Sequence, residues 1–129
     1  MSVFSTALGV SSSGLRAQAQ RLKVISENVA NTDTPGYHRK LITFGASFDT
    51  RDIAAVKVGR IDLDRRDGEE IYDPGHPMAD ATGNYIGSNV DLVVEIADAR
   101  EAQRSYEANL KMFDQVRQMS SALNELLRK

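Results

Sequence analysis

The residues with the most obvious chemical potential lie in a loop-forming stretch in the second half of the chain. Asp73, His76 and Asp80 fall within eight residues of one another in YDPGHPMAD. Imidazole and carboxylate groups this close could form a metal site or an acid–base pair. Their spacing matches no known ligand pattern, however, and Pro74 and Pro77 fix the backbone between them. A structural turn is therefore the favoured interpretation of this stretch.

A second candidate for chemistry is the serine run Ser11–Ser13 near the N-terminus. A nucleophilic serine needs a partner base and a strained turn such as G-x-S-x-G, and neither accompanies this run. The chain has no cysteine and no glycine-rich phosphate loop, and its other histidine, His38, precedes two basic residues. We therefore predict no catalytic residue, no cofactor and no metal ligand, and we interpret the serines as a solvated helix face.

Composition and charge exclude several further classes of protein. The 129 residues are 41% hydrophobic and 6% aromatic, without tryptophan, which is thin material for a packed core. The net charge is −2, so the composition does not indicate nucleic-acid binding. The N-terminus does not match a secretory signal peptide, and no stretch approaches the roughly 20 apolar residues of a membrane span. We predict no nucleic-acid partner and no membrane insertion.

Periodic apolar residues predict a long helix from residue 3 to about residue 30. Leucine or valine recurs every seven residues, and further apolar residues lie on the same side. This spacing is typical of a coiled-coil stripe, which packs against another helix. The stripe residues of this segment are Leu8, Leu15, Leu22, Ile25 and Val29, with Phe4 before them.

The helix is predicted to stop within the sequence ANTDTPGY. Proline disfavours the helical conformation in the residue before it. Pro35 and Gly36 suit the two central positions of a type II turn, in which Gly36 supplies a positive φ. The motif residues are Asn31, Thr34, Pro35, Gly36 and Tyr37. We expect Tyr37 to pack back on a helix, and Arg39 and Lys40 to meet acidic neighbours.

Residues 41–88 form a different kind of segment, with five basic and nine acidic residues. VKVGRIDLD alternates apolar and polar residues, which predicts a short hairpin or strand pair broken near Gly59. DLDRRDGEE is interpreted as an exposed, charged turn. YDPGHPMADATGNYIG is rich in proline, glycine and turn-forming residues, so we predict an extended, irregular loop there. A segment of this kind buries little apolar area alone.

A second long helix is predicted over residues 89–128. Neither glycine nor proline interrupts the segment, and its apolar residues recur at close to the heptad spacing. Ser88 or Asn89 is expected to cap it, and Asp91 and Glu95 are favourable near its positive end. The stripe residues of this helix are Leu92, Ile96, Tyr106, Leu110, Phe113, Leu123 and Leu127.

Together the three segments predict a mainly α protein with a small β-rich insert. Residues 1–40 and 89–129 supply long helices that pair as a coiled coil, parallel or antiparallel, and residues 41–88 supply the insert. Two helices bury too little surface to be robust alone, and their stripes also contain Ser, Gln and Ala. We therefore expect the subunit of an assembly.

Three stretches resemble the bacterial flagellar axial family of rod and hook proteins. ANTDTPGY is similar to the family's N-terminal ANxxTPGY motif, and SNVDLVVEIADAREAQRSYEANLKMFDQ resembles its closing helix. YDPGHPMADATGNYIG is similar to the middle loop of the proximal rod members. The likeness covers nearly the whole chain, and the first two motifs are specific to the family.

This resemblance implies a structural subunit and not an enzyme. Such subunits polymerise into the hollow drive shaft that spans the periplasm in the flagellar basal body, transmits torque and surrounds the export channel. The implied partners are copies of the chain, other rod proteins, the flagellar type III export apparatus, and the MS-ring and rod-adaptor proteins at the base. A break at TPGY would let the chain leave the inner coiled-coil layer.

Export in this family proceeds from the cytoplasm without a cleaved signal peptide. Phe4 and Leu8 match the proposed export-gate pattern, although both are also stripe residues. Two alternatives remain open from the sequence. One is another axial protein of the same family, and the other is a soluble ligand- or metal-binding coiled-coil protein that uses the His76 loop.

Overall fold

The computed structural model describes residues 3–51 and 53–128, so the outer ends of the predicted segments, residues 1, 2 and 129, lie outside the described residues. Two long helices enclose four strands in chain order. Their bounds are α1 Val3–Ala30, β1 Lys40–Phe48, β2 Ala54–Leu63, β3 Glu70–Tyr72, β4 Asn84–Ile86 and α2 Leu92–Leu127. The prediction of a mainly α protein with a small β-rich insert is confirmed.

The two helices run antiparallel, which decides between the two orientations that the sequence left open. Residues nearer the end of α1 contact residues nearer the start of α2. They pair Asn28 with Glu95, Arg21 with Glu101, and Gly14 with Asn109. With 36 residues, α2 is longer than α1, which has 28. Both lengths suit a rod-like pair of about 40 to 55 Å.

Small and polar residues fill the seam between the helices. Ser11 and Ser13 are only 7% and 6% exposed, so the interpretation of the serine run as a solvated helix face is wrong for these two residues. Ala17 is 1% exposed and Ala102 is fully buried. A Cβ atom at Gly14 would lie only 2.9 Å from Asn109 Oδ1, so the helices approach closely at this point. On α2 the buried and half-buried residues include a series spaced alternately by four and three positions. The series is Glu95, Ala99, Ala102, Tyr106, Asn109, Phe113, Val116 and Ser120.

The β1–β2 hairpin corrects the prediction of a break near Gly59. The strand β2 is continuous for 10 residues, and β1, which the sequence did not predict, is its antiparallel partner. The register shifts between Ile42 and Phe44, where β2 has one extra residue. This bulge reverses the apolar–polar alternation at Gly59, which is why the sequence pattern resembled a break. A Cβ at Gly59 would lie 2.5 Å from Thr43 Oγ1, so glycine permits the close approach.

The predicted irregular loop over YDPGHPMADATGNYIG is in part a second hairpin. The strands β3 and β4 pair antiparallel, with Glu70 opposite Ile86, Ile71 opposite Tyr85 and Tyr72 opposite Asn84. Between them, Asp80 Oδ1 accepts the backbone N–H groups of Thr82 at 2.9 Å and Asn84 at 3.1 Å. Gly83 follows with a φ of 83°. These local hydrogen bonds give the loop a defined course without a hydrophobic core of its own.

Candidate functional site and assembly surface

The chain leaves α1 through a tight turn at TPGY. Tyr37 N–H donates to the Thr34 carbonyl over 3.2 Å, and Gly36 has a φ of 72°. Because proline fixes its own φ near −65°, these values have the type II geometry expected of Pro35 and Gly36. A Cβ at Gly36 would meet nothing within 4 Å, so the requirement for glycine comes from the backbone angle and not from crowding.

The end of α1 is closed by the polar residues that precede this turn. Asn31 Nδ2 donates to the Glu27 carbonyl over 2.8 Å, and Thr32 Oγ1 donates to the Val29 carbonyl over 2.8 Å. Thr34 Oγ1 in turn donates to Asn31 Oδ1 over 3.1 Å. These bonds satisfy carbonyl groups that the helix can no longer use. The motif therefore ends the helix and aims the chain in one short segment.

Asn28 is the centre of a buried polar cluster, which we call the junction, beneath this turn. Asn28 is only 1% exposed. The Oδ1 atom accepts from Lys40 N at 2.8 Å and from the Tyr37 hydroxyl at 3.0 Å. The Nδ2 atom donates to the Lys40 carbonyl at 3.0 Å and to Glu95 Oε2 at 3.4 Å. One amide thus ties together α1, the turn, the first residue of β1 and α2.

An ion pair between Arg39 and Glu95 forms the charged part of the junction. Glu95 is fully buried, and its Oε1 lies 2.6 Å from Arg39 Nε. Arg39 also approaches Asp98, with Nη2 3.6 Å from Oδ2, and Arg21 contacts the same carboxylate at 3.7 Å. A buried carboxylate without such partners would be strongly destabilising. The expectation that Arg39 meets an acidic residue is confirmed, and that residue is Glu95.

Asn89 completes the junction from the other end of the insert. Its N–H donates to the Tyr37 carbonyl over 3.1 Å, and its Oδ1 accepts Arg39 N–H at 2.6 Å. Its Nδ2 donates to the carbonyls of Asp64 at 2.9 Å and Arg66 at 2.8 Å. Asn89 therefore holds the start of the insert against its end, and every polar atom of its side chain has a partner.

The cap of α2 differs from the prediction of Ser88 or Asn89. Asp91 is the N-cap, and its Oδ1 accepts the Val93 N–H at 3.0 Å. Ser88 Oγ instead donates to the Thr32 carbonyl, while Asn89 is occupied in the junction. The prediction failed because all three polar residues are chemically competent caps, and only tertiary contacts assign them.

Ion pairs and burial at the edge of the junction shift the pKa values of several side chains. Lys40 Nζ lies 2.8 Å from Glu27 Oε2, and the hydrogen bond from Lys40 lowers the pKa of the Glu27 carboxyl. Hydrogen bonds from the Arg66 side chain, followed by those from its backbone, lower the pKa of Asp64 to about 2. Burial is the main cause that raises the pKa of the Tyr37 hydroxyl.

The charged turn DLDRRDGEE is less exposed than predicted at its start. The side chain of Asp64 is only 10% exposed, and its backbone carbonyl accepts a hydrogen bond from Asn89 of the junction. His38 Nδ1 lies 2.8 Å from the Asp64 carbonyl, so this ring nitrogen carries the donated hydrogen. The prediction was wrong for Asp64, since charge alone gave no sign of the contacts made by its carbonyl group.

The His76 loop directs its polar groups at its own backbone. The His76 ring stacks on Tyr85, with 3.9 Å between ring centroids, and its Nδ1 accepts the Met78 N–H at 3.0 Å. Asp73 Oδ1 accepts the Gly75 N–H at 3.2 Å. Within residues 3–51 and 53–128, no three His, Asp or Glu side chains converge as a metal site would require. The arrangement agrees with a structural turn.

The predicted coiled-coil stripe is divided by the fold. Ile25 is buried, and Tyr106 and Phe113 are half-buried in the seam series of α2. Leu123 and Leu127 are 42% and 76% exposed near the end of α2. The remaining stripe residues lie outside the seam and are half-buried or exposed, and we call this set the leucine stripe. Its members are Leu8, Leu15, Leu22 and Val29 of α1, and Leu92, Ile96 and Leu110 of α2.

In the part of the chain that the structure describes, no helix combines the length and the apolar character needed to cross a membrane.

Comparison with known proteins identifies the family of the chain. Residues 8–38 match the family model described as flagella basal body rod protein, and residues 82–126 match the one described as flagellar basal body rod FlgEFG protein C-terminal. The flagellar basal-body rod protein FlgC of Agrobacterium fabrum is 42% identical over 99% of this chain and 98% of its own length. This chain belongs to the FlgC family.

Two further FlgC proteins show how widely the similarity extends. The FlgC of Aquifex aeolicus is 36% identical over 88% of each chain. The FlgC of Salmonella typhimurium is 32% identical over 85% of this chain and 87% of its own length. Members of the FlgC family are structural proteins of the flagellar basal-body rod. The alternative of a soluble metal- or ligand-binding coiled-coil protein is not favoured.

Proposed function

We propose that the chain polymerises with its own copies and with other rod proteins, and that the surface left open by its helix pair is the contact surface. The observation that carries this proposal is the excess of accessible surface. The chain exposes 9174 Å². A compact monomer of 14.2 kDa would expose roughly 6,800 Å², so about 2,400 Å² is surplus.

The surplus surface is strongly apolar. Among the described residues the buried apolar side chains are Ala17, Val24, Ile25 and Ala102. Large apolar side chains are instead exposed along α2, including Val93 at 76%, Ile96 at 49% and Leu110 at 42%, and near the two ends of α1, where Val3 is 82% and Val29 42% exposed. Exposed apolar area on this scale marks an interaction surface more often than a stable free monomer. The chain therefore acquires most of its core by assembly.

In this proposal the three segments have different roles. Residues 1–40 and 89–129 form the inner layer of the rod, which surrounds the export channel, and residues 41–88 form an outer layer. The junction holds the insert at a fixed angle to the helix pair, so that each outer segment points in the same direction. A shaft of subunits held in this way transmits torque across the periplasm by mechanical contact, without catalysis.

The proposal includes the route by which the subunit reaches the rod. The FlgC family resemblance supports export by the flagellar type III apparatus from the cytoplasm without a cleaved signal peptide, and contact with MS-ring and rod-adaptor proteins at the base. Phe4 and Leu8 are the candidate export signal. If the export gate reads them, Phe4→Ala should lower secretion more than Val3→Ala, although Val3 is 82% exposed and closer to the terminus.

Leu22→Asp tests the contact surface directly. A carboxylate at this position would be buried without a partner in a closed contact, so rods should fail to assemble and motility should be lost. Secretion should continue, because export requires only the unfolded chain. Lys23→Asp is the matched control, since Lys23 is exposed and lies about 100° around the helix from Leu22. Normal swimming of the Leu22→Asp strain would contradict the proposal.

A further inference from the structure

The leucine stripe and the β1–β2 hairpin lie on opposite sides of the helix pair. On α1 the hairpin is held at Ser13, whose Oγ accepts the Val56 N–H at 3.0 Å. Leu15 is two residues further along, which places it about 160° around the helix from Ser13. The α1 part of the stripe therefore points away from the hairpin.

The α2 part of the stripe points the same way. Gly14 faces Asn109 across the antiparallel seam, so the two helices are related by an approximate two-fold axis at this contact. This axis is perpendicular to the plane that contains both helices. The residue that follows Gly14 on α1 and the residue that follows Asn109 on α2 therefore point to the same side of that plane. Leu15 and Leu110 are those residues. The leucine stripe therefore lies on one side of the pair, with members on both helices.

This surface is almost free of charge along α1. No Asp, Glu, Lys or Arg occupies its positions between residues 4 and 29. Those positions are Phe4, Leu8, Leu15, Gln18, Leu22 and Val29, while Ser11, between Leu8 and Leu15, is buried. Burying such a surface removes apolar area from water and carries no cost of desolvating an ionic group.

The opposite side of the pair presents an apolar face of the hairpin, which we call the hairpin face. The bulge in β2 keeps these side chains together, because each β2 member lies opposite an even-numbered residue of β1. The exposed members of the hairpin face are Phe44 at 40%, Phe48 at 65%, Val56 at 40%, Ile61 at 42% and Leu63 at 53%. Directly opposed residues of an antiparallel pair share one face of the sheet.

The hairpin face is only partly covered within the chain. Both strands pack on α1, and among the described residues neither packs on α2. A cavity of about 270 Å³ remains between the hairpin and the helix pair, where Ile42 and Phe44 face Val24 and Ile25. Near Ile42 and Phe44 the hairpin face therefore looks toward α1, and its exposed side chains border an open apolar groove on that side of the pair.

We propose that the leucine stripe of one copy packs on the hairpin face of the next copy. The inference rests on the proposed function and names the interface through which it occurs. Two different apolar surfaces on opposite sides make a heterologous contact, which repeats in one direction into a ring or a helical row and cannot end as a two-fold dimer. Each subunit gives one surface to each neighbour, so the surplus of roughly 2,400 Å² is close to the area of one obligate contact.

A photoreactive benzoylphenylalanine at position 15, in cells that assemble rods, tests this inference. Isolated basal bodies are irradiated, and the captured peptide is identified by mass spectrometry. We expect capture of a second copy within residues 40–63, and at least fivefold less of this product when the probe replaces Arg16, which points about 100° away. The same probe at position 22 serves as a second variant if the first reduces assembly.

The possible outcomes separate the inference from the proposed function. Capture of the partner's leucine stripe would indicate a two-fold contact and would overturn the inference. Capture of a different rod protein would overturn it as well, while leaving the role in the rod intact. If neither probe captures any protein although the chain is present in basal bodies, both the contact and the assembly surface are wrong.

Discussion

The junction and the leucine stripe are opposite solutions to the problem of holding a small chain together. The junction is polar, buried and complete, since Asn28, Asn89 and Glu95 all have partners within the chain. The leucine stripe is apolar, and Leu110 and Ile96 remain 42% and 49% exposed. Polar networks require defined geometry, whereas apolar contact is non-directional. The junction fixes the shape of the isolated chain, whereas most of the apolar burial is left to assembly.

This contrast assigns different consequences to damage in the two regions. A change in the junction should alter the free energy of unfolding of the isolated chain and the angle of the insert. A change in the leucine stripe should affect the isolated chain much less and should prevent assembly.

Glu95→Ala should be the most destabilising substitution. It removes one member of a buried ion pair and leaves the Arg39 guanidinium without its closest partner, which costs about 3–5 kcal/mol in other buried pairs. Urea unfolding of the purified chain, followed by circular dichroism, measures the change. Glu101→Ala is the matched control, because its side chain also pairs with an arginine of α1 but is 69% exposed.

The double variant Glu95→Leu with Arg39→Met sharpens this test. Replacing both charges by apolar residues of similar size leaves no unpaired charge, so it should cost less than Glu95→Ala alone. If Glu95→Ala and Glu101→Ala have equal effects, the junction does not stabilise the isolated chain, and the contrast with the leucine stripe fails.

Gly36→Val should have the next largest effect. A β-branched residue strongly disfavours the φ of 72° at this turn, at a cost of about 1–3 kcal/mol. Gly36→Asn should be much milder, because asparagine tolerates positive φ. Motility and secretion of the two strains should separate, with assembly lost only in the valine strain. Identical behaviour of the two would show that the turn does not aim the insert.

Substitutions of two helix glycines should differ by about 1 kcal/mol. Gly9→Ala should stabilise the chain by roughly 0.5–1 kcal/mol, because alanine is the better helix former and a Cβ there meets nothing within 4 Å. Gly14→Ala should lose this gain, since its Cβ would crowd Asn109 Oδ1 at 2.9 Å. Thermal unfolding of both variants measures the difference. A stabilising Gly14→Ala would indicate that the helices are not closely packed here.

Lowering the pH should reduce the stability of the junction at Asp64, and we expect this effect to be the smallest. The pKa of Asp64 is about 2 in the folded chain, against roughly 3.9 when unfolded. Its contribution to stability is therefore complete above about pH 4 and is lost as the pH falls towards 2. Asp64→Asn should flatten that part of the pH dependence of unfolding, while Asp62→Asn, two residues earlier, should leave it unchanged.

Much of the fold could be predicted from periodicity and turn chemistry. Apolar spacing located both helices, the absence of glycine and proline supported the second, and Pro35 with Gly36 located the turn. These are local signals, since each depends on residues within a few positions of one another. The bulge at Gly59 misled the same reasoning, because a shift in alternation looks alike whether a strand bends or ends.

The junction could not be predicted, because its members lie far apart in the sequence. Asn28 and Glu95 are 67 residues apart, and neither departs from what an ordinary helix contains. The basic residues after the turn indicated that Arg39 meets an acidic residue, but nothing in the sequence identified that residue as Glu95 or placed Asn28 beside it. The leucine stripe was predicted as one set, but only the crossing of the helices shows which members leave the seam.

Labelling of an introduced cysteine tests the central claim most directly. The chain has no cysteine, so Leu22→Cys provides a single thiol in the leucine stripe. We predict that a maleimide reagent modifies this thiol readily in the dilute purified subunit and at least tenfold more slowly in isolated basal bodies, whereas Lys23→Cys reacts in both. Equal reactivity of Leu22→Cys in the free subunit and in the rod would show that assembly does not cover the stripe, and would contradict the account.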